Sequence, residues 1–433
     1  MSTSIRYLRL YLNLPDGTRR AIGYLSEYGD ILRVSFEKNY IEDENRPTLS
    51  LGFQGSSEGD TQAILTSSRD ERLVNTRGRL PVYFQNLLPE GHNRERLAEQ
   101  RGCSPNNEFE LLAAAGHDLM GALEVEPVSS KEGIPDVTRA WHVAQGLDVL
   151  EPGFVETPIE DGAALPGVVA KFSAVKDGRR YVTRRHGEAG SFIIKLPTSA
   201  HPDLVQNEFA GYSLCRALEL RCAEASIISR ADADIPDHVE FDQLLAVKRF
   251  DRAPGNRRVH MEELTQVLRW PSTRKYGNDL QNDYANVLRI IDRLSGNRVA
   301  DVPEFVNRFV AFILMGNTDA HMKNWAFIYP DGRTPVLSPL YDPVCVAALL
   351  NQTDKVHYQH NRGIDNRLRR YSWDDLESLV EAAGISRVSR VLQQARATVK
   401  AAQARWPALL ADAPESVRES VNQRLEGGLA LTA

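Results

Sequence analysis

Polar residues gather in the segment Asn-Thr-Asp-Ala-His-Met-Lys-Asn at positions 317–324, and a further carboxylate follows at Asp342. Asp319 and Asn324 stand in Asp-x-x-x-x-Asn spacing, which in phosphoryl-transfer sites sets a carboxylate beside the attacking hydroxyl and a carboxamide on Mg²⁺. Asp342 would hold the same ion between phosphate groups. A chain of 433 residues contains about one chance match to so short a pattern, so the prediction depends on the elements around it.

The segment lies between two apolar stretches. Residues 309–314 predict a helix that leads into it, and residues 325–329 predict a strand that follows it. Polar residues confined between two buried elements indicate a site, although Asp, Asn and His are also common in loops and caps. His321 has no second histidine at metal-binding spacing, so phosphoryl transfer is favoured over a transition-metal centre.

A lysine ahead of this segment has the context that a phosphate-binding cation needs. Lys195 ends the apolar, strand-like run Phe192-Ile193-Ile194, and a lysine on a strand can steady a triphosphate. A solvent-facing edge lysine would show the same pattern. Glu208, on the next predicted helix, is a candidate partner for Lys195, although the helix dipole also explains an acidic residue early in a helix.

Positions 165–171 read Leu-Pro-Gly-Val-Val-Ala-Lys and form a candidate phosphate loop. The glycine would let backbone N–H groups approach phosphate oxygens, with the lysine close behind. A surface turn would have the same composition, so this loop is a weaker prediction than the polar segment.

The elements that must position these residues begin with an antiparallel meander. Leucines alternate with polar residues from position 8 to 14, a second strand covers roughly residues 20–25, and a third covers residues 32–36. Further on, Ser104 is a candidate helix N-cap and Gly116 a candidate helix end. Residues 1–127 are therefore predicted to form an N-terminal α+β domain.

The composition changes after residue 127. Turn signals rich in Ser, Gly and Pro predict a linker over residues 128–160. Short apolar runs predict a small sheet lobe over 161–252, with one helix near residues 204–218, and residues 253–433 are mostly helical in pattern. Ser372 and Asp375 predict a capping box, and Pro407 is expected to end the helix that follows. The predicted fold class is α+β, with a small sheet lobe before a larger helical lobe.

The overall composition narrows the functional classes. A net charge of −6 provides no general basic surface, so contact with nucleic acid would need a local patch or an adaptor protein. The four cysteines lack the spacing of a zinc site and fit a reducing compartment. No signal-peptide pattern and no apolar run near the ~20 residues of a membrane span are found. We therefore expect a cytoplasmic protein with no membrane partner.

Taken in order, these segments resemble the HipA family of bacterial serine/threonine kinases, the toxins of HipBA toxin–antitoxin pairs. The likeness extends over most of the chain. It rests on eight stretches, at positions 86–91 (Asn-Leu-Leu-Pro-Glu-Gly), 109–113, 120–123, 166–167, 192–197, 248–252, 317–324 and 337–342. The resemblance implies a protein-kinase-like bilobal fold behind a HipA-like N-terminal domain.

The resemblance also implies roles for individual residues. Asp319 would act as the base toward a substrate hydroxyl, while Asn324 and Asp342 would bind Mg²⁺. Lys195 and His321 would face the phosphates of ATP. Further nucleotide contacts would come from the glycine loop, the hinge and the polar segment, through Pro166, Gly167, Val168, Val169, Ala170, Lys171, Lys248, Phe250 and Lys323.

Two positions of the glycine loop depart from the family pattern. The glycine loop of the family usually opens with a serine that the kinase phosphorylates on itself to silence the enzyme, and this chain has Ala164 there. That switch cannot operate at Ala164. Val169 also stands where a glutamine is usual. The residues assigned to phosphoryl transfer are all present, so we expect activity to survive.

Three functions are compatible with the sequence. The first is a growth-arresting protein kinase, for which family analogy suggests an aminoacyl-tRNA synthetase as substrate. The second is a catalytically weak corepressor bound to a HipB-like helix-turn-helix antitoxin, which would make most of the DNA contacts. The third is a small-molecule phosphotransferase, which shares the Asp-x-x-x-x-Asn spacing but is disfavoured by the family-like N-terminal segments.

Overall fold

In this computed structural model, the described residues form two six-stranded sheets and a set of packed helices that follow one another along the chain. The structure describes residues 4–129, 135–138, 151–159, 162–165, 170–182, 189–235, 241–255, 257–350 and 359–433. Within these ranges no helix is long and apolar enough to cross a bilayer.

The first sheet belongs to the N-terminal part of the chain. Its strands are β1 (Ser4–Asn13), β2 (Arg19–Tyr28), β3 (Ile31–Phe36), β4 (Val74–Asn75), β5 (Leu123–Pro127) and β6 (Glu151–Pro152). They lie in the order β4-β3-β2-β1-β5, with β6 parallel to β1. The first three strands form the antiparallel meander that the alternation predicts, and Leu8, Leu10 and Leu12 are buried on its inner face.

Short helices share a core with this sheet. They are α1 (Lys38–Ile41), α2 (Glu58–Thr66), α3 (Val82–Gln85), α4 (Gly91–Arg101) and α5 (Glu108–Ala115). The prediction of Ser104 as a helix N-cap is wrong. Asn107 caps α5 by accepting a hydrogen bond from the Glu110 N–H, whereas the Ser104 hydroxyl caps only the preceding turn at Asn106. Gly116 lies at the end of α5 as expected.

Residues 151–159 of the predicted linker return to the first sheet. The Gly153 N–H donates to the Ile5 carbonyl at 2.7 Å, and Val155 is buried in the N-terminal core. This stretch is therefore fastened to the N-terminal part. The limits of the linker and of the domains on either side stay predictions.

The second sheet forms the small lobe. Its strands are β7 (Lys171–Asp177), β8 (Arg180–Val182), β9 (Phe192–Lys195), β10 (Ala225–Ser229), β11 (Ala233–Asp234) and β12 (Gln243–Lys248), in the order β10-β12-β9-β7-β8-β11. Helix α6 (Leu204–Ala217) follows β9 and matches the helix predicted near residues 204–218. The apolar runs predicted as strands become β9 and β12, which pair antiparallel inside the sheet.

Helices dominate the rest of the chain. They are α7 (Leu264–Val267), α8 (Leu280–Leu294), α9 (Arg298–Met315), α10 (Val346–Leu349), α11 (Gln359–Arg370), α12 (Trp373–Ala382), α13 (Val388–Leu409) and α14 (Glu415–Gln423). Two small antiparallel sheets lie among them, formed by β13 (Arg252–Ala253) and β14 (Arg257–Arg258), and by β15 (His260–Glu263), β16 (Ala326–Tyr329) and β17 (Val336–Leu337).

Buried aromatic residues hold the helical lobe together around α9. The Trp325 ring packs against Phe305 and Phe312, with centroids 4.5 and 5.4 Å apart. The polar segment at 317–324 therefore leaves a buried helix and enters a buried strand, as its apolar flanks predict. A sheet lobe ahead of a mostly helical lobe confirms the α+β fold class.

Two helix boundaries test the capping rules. The reciprocal hydrogen bonds of Ser372 and Asp375 start α12 as predicted. The prediction that Pro407 ends the next helix is wrong, since α13 continues to Leu409. A proline this close to a helix end removes one hydrogen bond from a turn that ends two residues later, so the helix tolerates it.

Candidate phosphoryl-transfer site

Lys195 is the centre of a buried charge cluster. It ends β9 and lies opposite Leu245 on one side and Lys171 on the other. Its ammonium donates to Glu208 Oε1 on α6 at 2.7 Å and also to Asp342 Oδ1. Burial opposes the charged form, but the two carboxylates outweigh it and raise the pKa of Lys195. The interpretation of Lys195 as a solvent-facing edge lysine is therefore wrong.

Asp342 is held by backbone contacts in an uncommon conformation. Its φ is +54°, in the left-handed region that costs energy for residues other than glycine. The Asp342 N–H donates to the Tyr212 hydroxyl, and Asn317 Nδ2 donates to the Asp342 carbonyl at 3.4 Å. Although burial would raise it, the neighbouring ammonium groups, Lys195 foremost, lower the pKa of Asp342 to about 2. Its carboxylate is thus charged at neutral pH.

The polar segment folds back on itself around Asp319. Helix α9 ends at Gly316, whose φ of +74° is the usual left-handed helix terminator. The Asp319 N–H donates to Asn317 Oδ1 at 3.1 Å. The Asp319 carbonyl accepts from the His321 N–H at 2.7 Å and from Asn324 Nδ2 at 2.9 Å. These bonds fix the carboxamide of Asn324 beside the residue predicted to be the base.

His321 and Lys323 belong to the same turn and have different surroundings. His321 is buried, and burial lowers the pKa of its imidazole to about 4, so the ring is neutral near pH 7. Its Nδ1 has no hydrogen-bond partner among the described residues. Lys323 is buried between Glu90 Oε1 at 2.8 Å and Glu263 Oε2 at 3.5 Å. The unpaired ring nitrogen of His321 is available to hydrogen-bond to a ligand, whereas the ammonium of Lys323 already pairs with two carboxylates.

One cavity of about 140 Å³ brings the predicted residues together. Those that line it are Lys171, Lys195, Asp319, His321, Lys323, Asn324 and Asp342. Burial lowers the pKa of Lys171 to about 8, with Asp342 opposing the shift. A charged lysine pair beside two carboxylates matches the needs of a triphosphate and its metal ion.

The donor set fits Mg²⁺. Asn324 and Asp342 present a carboxamide and a carboxylate oxygen to the cavity, and Mg²⁺ is usually bound through one or two such groups together with substrate phosphates. Within the described ranges no group of three or more His, Cys, Asp or Glu side chains has metal-binding geometry. The site therefore suits a hard cation shared with a phosphorylated ligand.

Three residues predicted to contact the nucleotide do not line this cavity. Lys248, at the end of β12, is exposed and donates to Glu224 Oε1 at 2.9 Å. Phe250 packs on Tyr341, a cavity residue, with ring centroids 5.6 Å apart, but does not itself line the cavity. The Ala170 carbonyl accepts the Leu196 N–H. Pro166, Gly167, Val168 and Val169 lie outside the described residues.

Ala164 lies away from the cavity. Its side chain is fully buried in the N-terminal core, and its N–H donates to the Asp118 carbonyl at 3.2 Å. A methyl group fills this position by packing alone.

The sequence did not identify three residues beside the cavity. Glu90 pairs with Lys323 and with Lys275 Nζ at 3.1 Å, and these ammonium groups lower its pKa to about 2 against the effect of burial. The Tyr276 hydroxyl donates to Asp319 Oδ1. Glu90 belongs to the quoted stretch at 86–91, which signalled a family likeness but no partner. Local sequence could not mark Lys275 and Tyr276 as site residues, because their partners Glu90 and Asp319 lie 185 and 43 positions away.

Comparisons with known proteins identify the family of this chain. The model of the HipA-like C-terminal domain matches residues 163–406, and that of the HipA N-terminal domain matches residues 17–126. A Sinorhizobium fredii protein named "Putative kinase Y4dM" is 35% identical over 382 residues, 86% of each chain. The serine/threonine-protein kinase toxin HipA of Shewanella oneidensis is 28% identical over 294 residues, 63% of this chain and 64% of its own.

A solved structure shows the same fold. A chain from the Shewanella oneidensis complex of HipA, HipB and operator DNA has a TM-score of 0.64 at 21% identity, with 98% of this chain and 96% of that chain covered. The predicted kinase-like α+β architecture is confirmed by this likeness. A domain model over more than half of the sequence and a relative that is 35% identical over 86% of each chain together show that the chain belongs to the HipA family.

Proposed function

We propose that this chain is an ATP- and Mg²⁺-dependent serine/threonine protein kinase. One observation carries the proposal, namely the ammonium of Lys195 held between Glu208 and Asp342 in the cavity that also contains Asp319. Kinases use this pairing to hold a phosphate-binding lysine beside a metal-binding aspartate. Relatives named as kinases support the same activity.

In this proposal, the residues that line the cavity have separate roles in phosphoryl transfer. Asp319 accepts the proton of a serine or threonine hydroxyl while the hydroxyl oxygen bonds to the γ-phosphorus of ATP. The bond from that phosphorus to the β–γ bridging oxygen breaks, and ADP leaves. Asn324 and Asp342 would hold Mg²⁺, which would neutralise charge on the phosphates when bound.

Lys195, Lys171 and the neutral His321 ring would contact phosphate oxygens in the same cavity. The loop at 166–171 would cover the nucleotide. The backbone of residues 248–250 would meet the adenine, which explains why the Lys248 side chain is free to face solvent and pair with Glu224. Lys323 would make its predicted contact with the nucleotide while also paired with Glu90 and Glu263.

We also propose a role as a growth-arrest toxin. The name of the Shewanella oneidensis relative and the HipA–HipB–DNA complex support a HipB-like helix-turn-helix antitoxin as partner, with DNA contacted mainly through it. A net charge of −6 agrees with an indirect contact to DNA. An aminoacyl-tRNA synthetase is the proposed substrate class, and the cytoplasm is the proposed location.

The activity is tested with Asp319→Asn and a matched surface variant, Asp412→Asn. Radiolabelled ATP, Mg²⁺ and a bacterial lysate are incubated with each protein. Because general-base catalysis contributes about 100-fold or more, Asp319→Asn should lose at least that factor in labelling, while Asp412→Asn, an exposed residue, should match the parent. Equal labelling by both variants would refute Asp319 as the base.

A nucleotide titration separates the kinase from a non-catalytic corepressor. Binding to the folded state alone raises the melting temperature, so ATP with Mg²⁺ should stabilise the protein, and Lys195→Met should remove most of the effect. Absence of any thermal shift, together with no label transfer, would support the corepressor function.

A further inference from the structure

Tyr276 makes a contact that the proposed reaction does not explain. It lies between α7 and α8, and its hydroxyl donates to Oδ1 of Asp319. The ring is half-buried and meets two imidazoles edge-on, that of His321 at 5.2 Å and that of His360 at 4.5 Å between centroids. A tyrosine hydroxyl thus occupies one oxygen of the carboxylate assigned as the base.

The segment that carries Tyr276 is anchored on both sides. The Lys275 carbonyl accepts the N–H of Met322, inside the polar segment, at 2.9 Å, and Lys275 Nζ pairs with Glu90 at 3.1 Å. Gly277 follows with a φ of +67°, and a Cβ there would lie 2.1 Å from the Asp283 carboxylate. These contacts tie the segment directly to the turn that holds Asp319.

Asp283 holds the other end of the segment. Its Oδ2 accepts the N–H groups of Asn278 and Asp279, each at 3.0 Å. A segment fixed at both ends keeps its hydroxyl on Asp319. This argues against a plug that leaves when substrate arrives, because such a plug would need at least one weakly held end.

We propose that Tyr276 is a positioning residue for phosphoryl transfer, an inference that rests on the proposed function. The phenol holds Oδ1 of Asp319 and leaves Oδ2 as the oxygen that receives the proton of the substrate hydroxyl. The phenolic proton stays on Tyr276 throughout, since burial and the Asp319 charge both raise its pKa. The aromatic contacts with His321 and His360 fix the ring from the sides.

Tyr276→Phe tests this role because it removes the hydroxyl and keeps the ring. A hydrogen bond to a charged group is worth about 1.5–3 kcal/mol, which corresponds to about 10- to 100-fold in rate. We therefore expect kcat to fall by about that factor while KM for ATP stays unchanged. Replacement of Tyr276 by 3-fluorotyrosine, which retains the donor, should restore kcat. A merely structural role would not separate kcat from KM in this way.

Tyr371→Phe is the matched control. Its hydroxyl donates to Gln281 at 2.7 Å, outside the cavity, so its loss should leave kcat unchanged. If the parent is active and Tyr276→Phe equals it, or exceeds it as removal of a plug would, the positioning role is overturned. Radiolabel mapped to Tyr276 would make it an acceptor and would also overturn the role. No label transfer by the parent would instead count against the proposed function.

Discussion

Glu262 and Glu263 are consecutive residues of β15 whose side chains point in opposite directions and enter different surroundings. Glu262 accepts hydrogen bonds from the Ser50 hydroxyl at 2.6 Å, the Leu51 N–H at 2.9 Å and the Tyr329 hydroxyl. Glu263 lies near the ammonium of Lys323. Burial raises the pKa of each carboxyl group to about 7 in spite of these partners. Both groups therefore change charge in the physiological pH range.

Glu262→Gln should remove a pH-dependent cost in stability. On folding, the pKa of the Glu262 carboxyl group rises from 4.5 to about 7. Its ionisation therefore destabilises the folded state, and this loss of stability grows as the pH rises from 4.5 through about 7. The full shift corresponds to roughly 3 kcal/mol. Glutamine can still accept from Leu51 and Tyr329 and can donate to Ser50, so the variant should gain stability over the parent at pH 8 but not at pH 4.5.

Urea unfolding at several pH values measures this difference. Glu377→Gln, on the exposed face of α12, is the control and should follow the parent curve. If the free energies of unfolding of Glu262→Gln and of the parent differ by the same amount at every pH from 4.5 to 8, Glu262 does not titrate as described.

At this scale the sequence predicted residues whose role depends on local spacing. Asp319 and Asn324 are five positions apart, and Lys195 is marked by its strand. The surroundings of Glu90 and Tyr276 are set by contacts between distant segments, which spacing does not encode. Lys323 is the opposite case. Its place in the motif predicted a nucleotide contact, but the spacing did not show that the distant carboxylates of Glu90 and Glu263 pair with it.

Helix α6 brings Glu208 to Lys195. Gly211 on this helix sets the distance between the helix and Pro343, the residue after Asp342. A Cβ on Gly211 would lie 1.7 Å from the Pro343 carbonyl oxygen, far inside any allowed contact. The helix backbone therefore packs directly against the chain that follows Asp342. Asn207, on the same helix, reinforces this by exchanging hydrogen bonds with the Cys345 backbone at 2.8 and 3.1 Å.

Gly211→Ala should destabilise the protein and loosen the Lys195 cluster. Alanine favours a helix over glycine by about 1 kcal/mol, but overpacking at this contact costs about 1–3 kcal/mol, so the net effect should be a loss of stability. Gly363→Ala in α11, where a Cβ meets nothing within 4 Å, is the matched control and should gain up to about 1 kcal/mol. Equal stability of the two variants in urea unfolding would show that α6 can move away freely.

Element types followed from periodicity, whereas only some element ends did, such as the start of α12 at Ser372 and the end of α5 at Gly116. The alternation of β1 to β3 and the apolar stripe before the polar segment predicted strands and helices that the structure contains. The errors at Ser104 and Pro407 concern ends, where two capping residues compete or where a proline falls in the last turn. Both outcomes depend on differences of about 1 kcal/mol between neighbouring boundaries.

The N-terminal part and the small lobe are joined by a buried network of charges. Asp118 Oδ1 accepts from Arg249 at 2.7 Å and from Arg252 at 2.9 Å, and Asp251 pairs with both arginines while accepting the Gly121 N–H at 2.8 Å. All of these side chains are buried. The sequence predicted a linker between the two parts. It could not reveal these ion pairs, because Asp118 is 131 positions from Arg249 and 134 positions from Arg252.

Asp118→Ala should destabilise the whole molecule. Removing one member of a buried charge cluster costs about 3–5 kcal/mol, because the arginines lose their counter-charge. Burial opposes ionisation of Asp118, but the arginines lower its pKa to about 2. Its contribution is therefore complete above pH 4 and disappears as pH falls through about 2. Calorimetry at neutral pH, with Asp412→Ala as the exposed control, measures the loss, and a loss below about 1 kcal/mol would contradict the network's importance.

The pairing of Lys195 with Asp342 would also make entry of the proposed Mg²⁺ an exchange of cations. In this structure the ammonium already contacts Oδ1 of the carboxylate proposed to hold Mg²⁺. At that site a divalent ion would compete with the ammonium for Asp342, and Glu208 alone would remain to pair with the ammonium. A triphosphate would supply further negative charge for both cations. Nucleotide and metal are thus expected to load together, because either one alone would unbalance the charges of this buried cluster.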